Sequence, residues 1–360
     1  VKQKYSIILG SGSYVPPRKV SNEDFLQHEF YDQQGRRLEK TNEVIIQQFE
    51  QITGIKERRY VTDDLVASDI AAIAAKDALA SANIDGETLD YIIVAHNFGD
   101  ISAANPRSEF VPTLASRVKH YLGITNPGTI AYDLPFGCAG WLQGMIQADF
   151  YIRSDSAKKI MVIGAETLSR ICDPHDRDSM IYADGAGAVI LGAVQSDTPV
   201  GILAHSTRSY SHELAYVLKM DRSFNPDYGS DQLFLKMQGR KLYEHALGIV
   251  PAVMKDSLTK VGLLISDIDK LLIHQANNKM DEAILKALYA LYDQKEIPVG
   301  VMPMTIAWLG NSSVATLPTL YDLLAKGQLP DQPIPNGNTF LIASMGAGVN
   351  VNSVVYKMPD

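Results

Sequence analysis

Short apolar runs and longer amphipathic stretches alternate along this chain. Tyr5–Leu9, Tyr91–Ala95, Lys159–Ile163, Leu271–Ile273 and Thr339–Ala343 are predominantly apolar and of strand length. Ala188–Val194 and Val349–Tyr356 carry the alternation of paired strands. Between them lie segments of helical character, around Lys76–Leu79 and Lys255–Leu258 and over Leu142–Tyr151, the last holding Gly144 inside it. Strands that alternate with helices predict an α/β protein. Two stretches break the rhythm. Ser206–Gln232 has weak periodicity and many turn formers and reads as an excursion covering a site, and Glu29–Lys40 reads as a polar insertion.

The pattern also repeats. Lys76-Asp77-Ala78-Leu79 followed by Asp90-Tyr91-Ile92-Ile93-Val94 has a counterpart in Lys255-Asp256-Ser257-Leu258 followed by Asp269-Lys270-Leu271-Leu272-Ile273, at one offset of 179 residues. Ala183-Asp184-Gly185-Ala186-Gly187 echoes Ser344-Met345-Gly346-Ala347-Gly348. The helix beginning at Cys138 echoes one beginning at Asn311, which brings Asp149 onto Asp322. Three echoes in one order predict two similar α/β halves, residues 1–197 and 198–360.

Composition narrows the class. A charged fraction of 21% and an apolar fraction of 46% are those of a globular protein. No apolar run approaches the ~18 residues of a membrane span, and Tyr5–Leu9 reads as a strand and not a signal peptide. The expectation is a cytoplasmic protein with no membrane partner. A net charge of −8 argues against nucleic acid, whose phosphates call for a basic surface. The two cysteines, Cys138 and Cys172, cannot build a disulfide framework, and there is no C-x-x-C pair for a metal.

Chemistry concentrates at three places. Cys138 follows the turn Pro135-Phe136-Gly137 and precedes a helix, where unpaired N–H groups and the helix dipole would lower a thiol pKa. His274 closes the apolar strand Leu271–Ile273, and the carboxyl ends of strands are where α/β folds place ligand chemistry. His96 holds nearly the same place in the other copy of the repeat. Asn311, after Gly310, is the repeat's mate of Cys138. Taken alone, each has a plainer reading: a packed cysteine, a hydrogen-bonded histidine, a helix N-cap. The repeat brings the cysteine and asparagine helices toward one cleft, where the Gly346-Ala347-Gly348 turn would present a backbone N–H to an oxyanion. The copy at Asp184–Ala188 reads as a tight hairpin.

At these residues the chain resembles the β-ketoacyl-acyl carrier protein synthase III family of thiolase-fold condensing enzymes. The matching blocks are Gly137-Cys138-Ala139-Gly140, Cys172-Asp173-Pro174-His175-Asp176-Arg177, Asp184-Gly185-Ala186-Gly187-Ala188, His274-Gln275-Ala276-Asn277, Gly310-Asn311-Ser312-Ser313 and Gly346-Ala347-Gly348. With Thr53–Arg59 they span nearly the whole chain in family order. The resemblance implies a thiolase-like fold of two pseudo-symmetric halves in α-β-α-β-α layers. It implies acylation of Cys138 by a thioester, an oxyanion held by the N–H groups of Cys138 and Gly348, and decarboxylation of a malonyl-like thioester beside His274 and Asn311. No metal or redox cofactor is implied. Acyl carrier protein and acyl-coenzyme A are the implied partners, in a homodimer.

The resemblance places Arg177, Arg240 and Phe136 at the substrate or coenzyme A site and Lys279 and Lys241 at a carrier-protein docking patch. Val44 and Arg240 replace a tryptophan and an asparagine common in the family, and the loop Asn97–Val111 is longer than usual. These departures favour a specialised member, of dialkylresorcinol or other polyketide-like lipid synthesis, over fatty-acid initiation. Two other readings stand beside it: acyl transfer to oxygen or nitrogen without decarboxylation, and a non-catalytic partner subunit.

Overall fold

The structure, a computed structural model, describes residues 2–359. Two sheets form its frame. The first runs Gln3–Tyr14, Asp184–Ser196, Lys159–Thr167, Tyr91–Ala95, Ile130–Leu134 from edge to edge. The second runs Gly201–Ser209, Asn350–Lys357, Thr339–Gly346, Lys270–Ile273. In each, the first two pairings are antiparallel and the next is parallel. Among the described residues the second sheet has no counterpart of Ile130–Leu134. Lys270–Ile273 ends it, held on its free side by a bond from Leu271 N–H to Val301 O (2.7 Å).

Side-chain alternation along the strands sorts the core into layers. Ile93, Val162, Val189 and Leu191 of the first sheet face inward, as do Leu272, Phe340, Ile342, Val354 and Tyr356 of the second. Between them lie two helices, Gly140–Arg153 and Thr316–Ala325, which contribute Trp141, Leu142, Met145, Leu317, Leu320 and Leu324 to the same cluster. The alternate residues Ile92, Val94, Met161 and Ile163 face the outer helices Ala67–Ala82 and Leu114–Tyr121. Leu271, Ile273, Leu341 and Val355 face the outer helices Gly239–Thr259 and Asn278–Ala290. The result is the expected thiolase-like five-layer α-β-α-β-α stack.

The middle helices are pinned by buried polar bonds. Asp322 accepts from the hydroxyls of Ser11 (2.8 Å) and Ser13 (2.6 Å), and Asp149 accepts from Ser6 (2.7 Å). Thr319 Oγ1 donates to Ala186 O (3.3 Å) on the first sheet. This contact explains Asp184–Ala188, which is not the tight hairpin its sequence suggests. The segment opens the long strand Asp184–Ser196, and its glycine gives room to the helix, since a Cβ on Gly187 would lie 2.7 Å from Pro318 Cβ. The helix echo is also displaced. Cys138 lies inside a one-turn 3-10 helix, Gly137–Ala139, whereas Asn311 precedes its own, Ser313–Ala315, by two residues.

Candidate active site

Three chain segments meet at one cavity of about 320 Å³. The turn after Ile130–Leu134 brings Gly137 and Cys138, the end of Lys270–Ile273 brings His274, and the loop before Thr316–Ala325 brings Asn311 and Ser313. Met345, Gly346 and Ala347 close the floor where strand Thr339–Gly346 ends. The remaining wall is largely apolar, including Leu168, Leu235, Val250 and Ile284. The excursion after the second sheet's first strand forms a hairpin, Leu218–Asp221 with Phe234–Met237, whose residues cover one side of the cavity.

Backbone packing beside the cysteine is unusually close. Gly137 has φ +62°, and a Cβ there would lie 2.5 Å from Ala347 N. A Cβ on Gly346 would lie 2.3 Å from Cys138 N. Two main chains thus touch where only glycine fits. They bring the 346–347 backbone beside Cys138, and Ser344 Oγ donates to Cys138 O (3.1 Å). Gly348, the residue expected to supply the second oxyanion donor, does not line the cavity. It lies on an adjoining pocket with Tyr216 and Gln238, which shares Leu218, Lys219, Met220 and Ala347 with the cavity, and has a left-handed φ of +76°.

Burial sets the electrostatics. The Cys138 thiol is pushed up to about 11, first by desolvation and further by the Glu166 carboxyl, against a hydrogen bond from Ser313 that lowers it. The expected thiolate-favouring effect of the helix start is therefore overridden by burial. His274 is buried, and desolvation brings it down to about 4. Its ring is neutral at physiological pH. Its Nδ1 is buried without a partner. A bare nitrogen tolerates that better than an N–H, so the proton belongs on Nε2. Asn311 Oδ1 accepts from Ser313 N–H (2.8 Å), which leaves its amide hydrogens free to donate.

Sequence reasoning passed over Ser313, Asn97 and Glu166. Ser313 adopts φ +54° and donates from Oγ to Cys138 Sγ (3.2 Å). Asn97 Nδ2 donates to Ser313 Oγ (3.1 Å) and to Glu166 Oε2 (2.8 Å). Ser313 was readable as part of the asparagine block. Glu166 had a signal too: it is a lone carboxylate in a strand whose last eight residues are all buried.

The other expected residues lie outside the cavity. Arg177 and Arg240 line an outer groove of about 510 Å³, which meets the cavity through shared walls at Met237, Leu242, Ala276 and Met280. Arg240 is almost fully exposed and pairs with Glu244 (3.0 Å). Lys241 and Lys279 are exposed beside the groove and line neither space. Phe136 also lines neither, although its neighbours Pro135 and Gly137 line the cavity.

Fold and cavity together define a thiolase-fold condensing enzyme, an acyltransferase. Sequence comparison narrows this. The chain matches the profile of 3-oxoacyl-[acyl-carrier-protein] synthase III over residues 132–211 and that of its C-terminal part over 258–358. It is 34% identical over 356 residues to β-ketoacyl-[acyl-carrier-protein] synthase III 1 of Vibrio vulnificus, covering 98% of this chain and 99% of that one. The chain belongs to the 3-oxoacyl-[acyl-carrier-protein] synthase III family. Among solved structures it resembles 3-oxoacyl-[acyl-carrier-protein] synthase III of Aquifex aeolicus (TM-score 0.77, 29% identity, 98% of this chain and 99% of that one). It also resembles the priming β-ketosynthase of the R1128 polyketide pathway (TM-score 0.80, 26% identity, 100% and 98%).

Proposed function

We propose that this enzyme joins an acyl group to a β-carboxylated thioester at Cys138. In the first half-reaction the sulfur attacks an acyl thioester, and the carrier thiol leaves with the proton that Cys138 gives up. The acyl oxyanion is held by the N–H of Cys138 and a backbone N–H of the Gly346-Ala347-Gly348 turn, for which Gly348 is the first candidate. In the second, the carboxylate leaves as carbon dioxide and its electron pair forms an enolate. His274 Nε2–H and the Asn311 amide donate to that enolate's oxygen. The carbanion attacks the acyl-cysteine, expels the thiolate, and releases a β-ketoacyl thioester while Cys138 takes up a proton. Neutral donors suit this step, because they stabilise the developing charge without protonating the carbanion.

The observation that carries the reading is the meeting of these three side chains in one largely apolar cavity, with His274 held neutral. Mass spectrometry of the Cys138 peptide after incubation with acyl thioesters, followed by malonyl thioester and measurement of carbon dioxide, tests it. An adduct that is lost in Cys138→Ala, followed by gas release, is expected. An adduct without gas from any β-carboxylated thioester would replace condensation by transfer to oxygen or nitrogen. The absence of any adduct would favour a partner subunit.

The same proposal assigns the outer groove to the arm of a carrier. Arg177 and Arg240 lie along it, and Lys241 and Lys279 flank it as a docking patch for acidic acyl carrier protein or coenzyme A phosphates. Residues 1–197 and 198–360 are the two halves, divided between strands Asp184–Ser196 and Gly201–Ser209. Edge strand Ile130–Leu134, paired on one side only and starting at exposed Ile130, supports a homodimer that pairs this edge. An enzyme drawing on such thioesters would work in the cytoplasm.

A further inference from the structure

Ser313, Asn97 and Glu166 lie in a line that ends on the cysteine sulfur. Glu166 is fully buried and its Oε2 accepts both the backbone N–H of Asn97 (2.9 Å) and its Nδ2 (2.8 Å). The second hydrogen of that amide is directed to Ser313 Oγ (3.1 Å). With a lone pair of Oγ engaged, the hydroxyl hydrogen is left to point at Cys138 Sγ, 3.2 Å away. Three local costs accompany the line. Ser313 holds a left-handed backbone, a carboxyl is buried beside an ionisable thiol, and Glu166 Oε1 has no partner. Packing alone asks for none of these.

We propose that Glu166 and Asn97 are positioning residues that aim the Ser313 hydroxyl at Cys138, so that an O–H···S bond holds the sulfur's negative charge each time a thiolate forms. The inference rests on Cys138 being the nucleophile proposed above. The reaction makes a thiolate twice, once before acylation and once when the carbanion displaces the acyl-cysteine. In a cavity that drives the thiol pKa up, a fixed donor on the sulfur favours the charged form at both moments. A carboxylate suits the far end of the line better than an amide. A glutamine there would place an NH₂ where Oε1 now has no partner, burying donors with nothing to accept them.

The test is the rate of iodoacetamide alkylation of Cys138 from pH 6 to 11, beside single-turnover acyl loading. Ser313→Ala should slow both by about tenfold at pH 8 and displace the rising limb of the alkylation profile upward by about one pH unit, the same change in free energy. Asn97→Ala should displace the rising limb in the same direction, and Asn97→Ala with Ser313→Ala should equal Ser313→Ala alone. A Ser313→Ala profile superposed on wild type, or effects of the two substitutions that add, would overturn the proposal. Alkylation profiles that shift as expected in a protein that accepts no acyl group would keep the positioning line and remove the reaction instead.

Discussion

His96 and His274 stand at matching places in the two sheets and have opposite chemistry. Each follows the strand paired in parallel with its sheet's long central strand, and each is buried. His96 is fully engaged: Nε2 meets Asp133 (2.9 Å) and Nδ1 accepts from Gly99 N–H (3.1 Å). His274 has an unpartnered Nδ1 and a cavity beside it. The difference lies one strand away. Asp133 sits on Ile130–Leu134, the strand that flanks Tyr91–Ala95, and the second sheet ends before any such strand. A carboxylate neighbour turns one histidine into a structural cross-link. Without that neighbour, the other is free to meet a substrate.

The largest effect expected from breaking this contrast is catalytic. His274→Ala should lower carbon dioxide release and product formation by about 10²–10⁴-fold while leaving acyl loading of Cys138 in place. His96→Ala should leave both rates of the folded protein within about twofold. Equal losses from the two substitutions in a steady-state assay would erase the distinction.

Next comes acid stability. His274 is lowered by burial from 6.5 to about 4. Between these values the unfolded chain binds a proton that the folded one does not, so stability rises with pH across the window. The stability this group contributes above about 6.5 is lost as pH falls toward 4 and amounts to about 3 kcal/mol at most. Urea midpoints from pH 7.5 to 4 should fall less in His274→Asn than in wild type; parallel curves would contradict the assignment. The smallest effect belongs to the structural histidine at neutral pH. His96→Ala should cost about 2 kcal/mol in denaturant unfolding, since it strips a buried bond from Asp133 while Leu114 and Ala115 N–H still hold that carboxylate. A loss below about 0.5 kcal/mol would mean the bond is idle.

Much of the architecture was readable from periodicity. Runs such as Tyr91–Ala95 and Thr339–Ala343 read as buried strands, and the repeated segments pointed to two similar α/β halves. The meeting of Cys138, His274 and Asn311 followed from the same repeat and the family blocks. What stayed hidden depends on distant neighbours. Helix position alone suggested a lowered Cys138 thiol, whereas the apolar wall around it, drawn from distant segments, pushes the group the other way. The glycine pattern nominated Gly348, which lies one residue beyond Ala347 on the pocket that adjoins the cavity. The Asn97–Ser313 bond joins residues 216 positions apart, a span over which sequence pattern carries no signal.

Helix Thr316–Ala325 has a consequence for how such a chain can be divided. Every residue from Thr316 to Leu324 is buried, so the segment has no face that water could wet. Its anchors, Ser11, Ser13 and Ala186, all lie in the opposite sequence half. A fragment starting near residue 198 would carry an orphaned greasy rod, and its complement would carry an unfilled trough. Neither piece is a self-sufficient cargo for folding, exchange or fusion. The doubled architecture is therefore expected to unfold as one cooperative unit, whatever its ancestry.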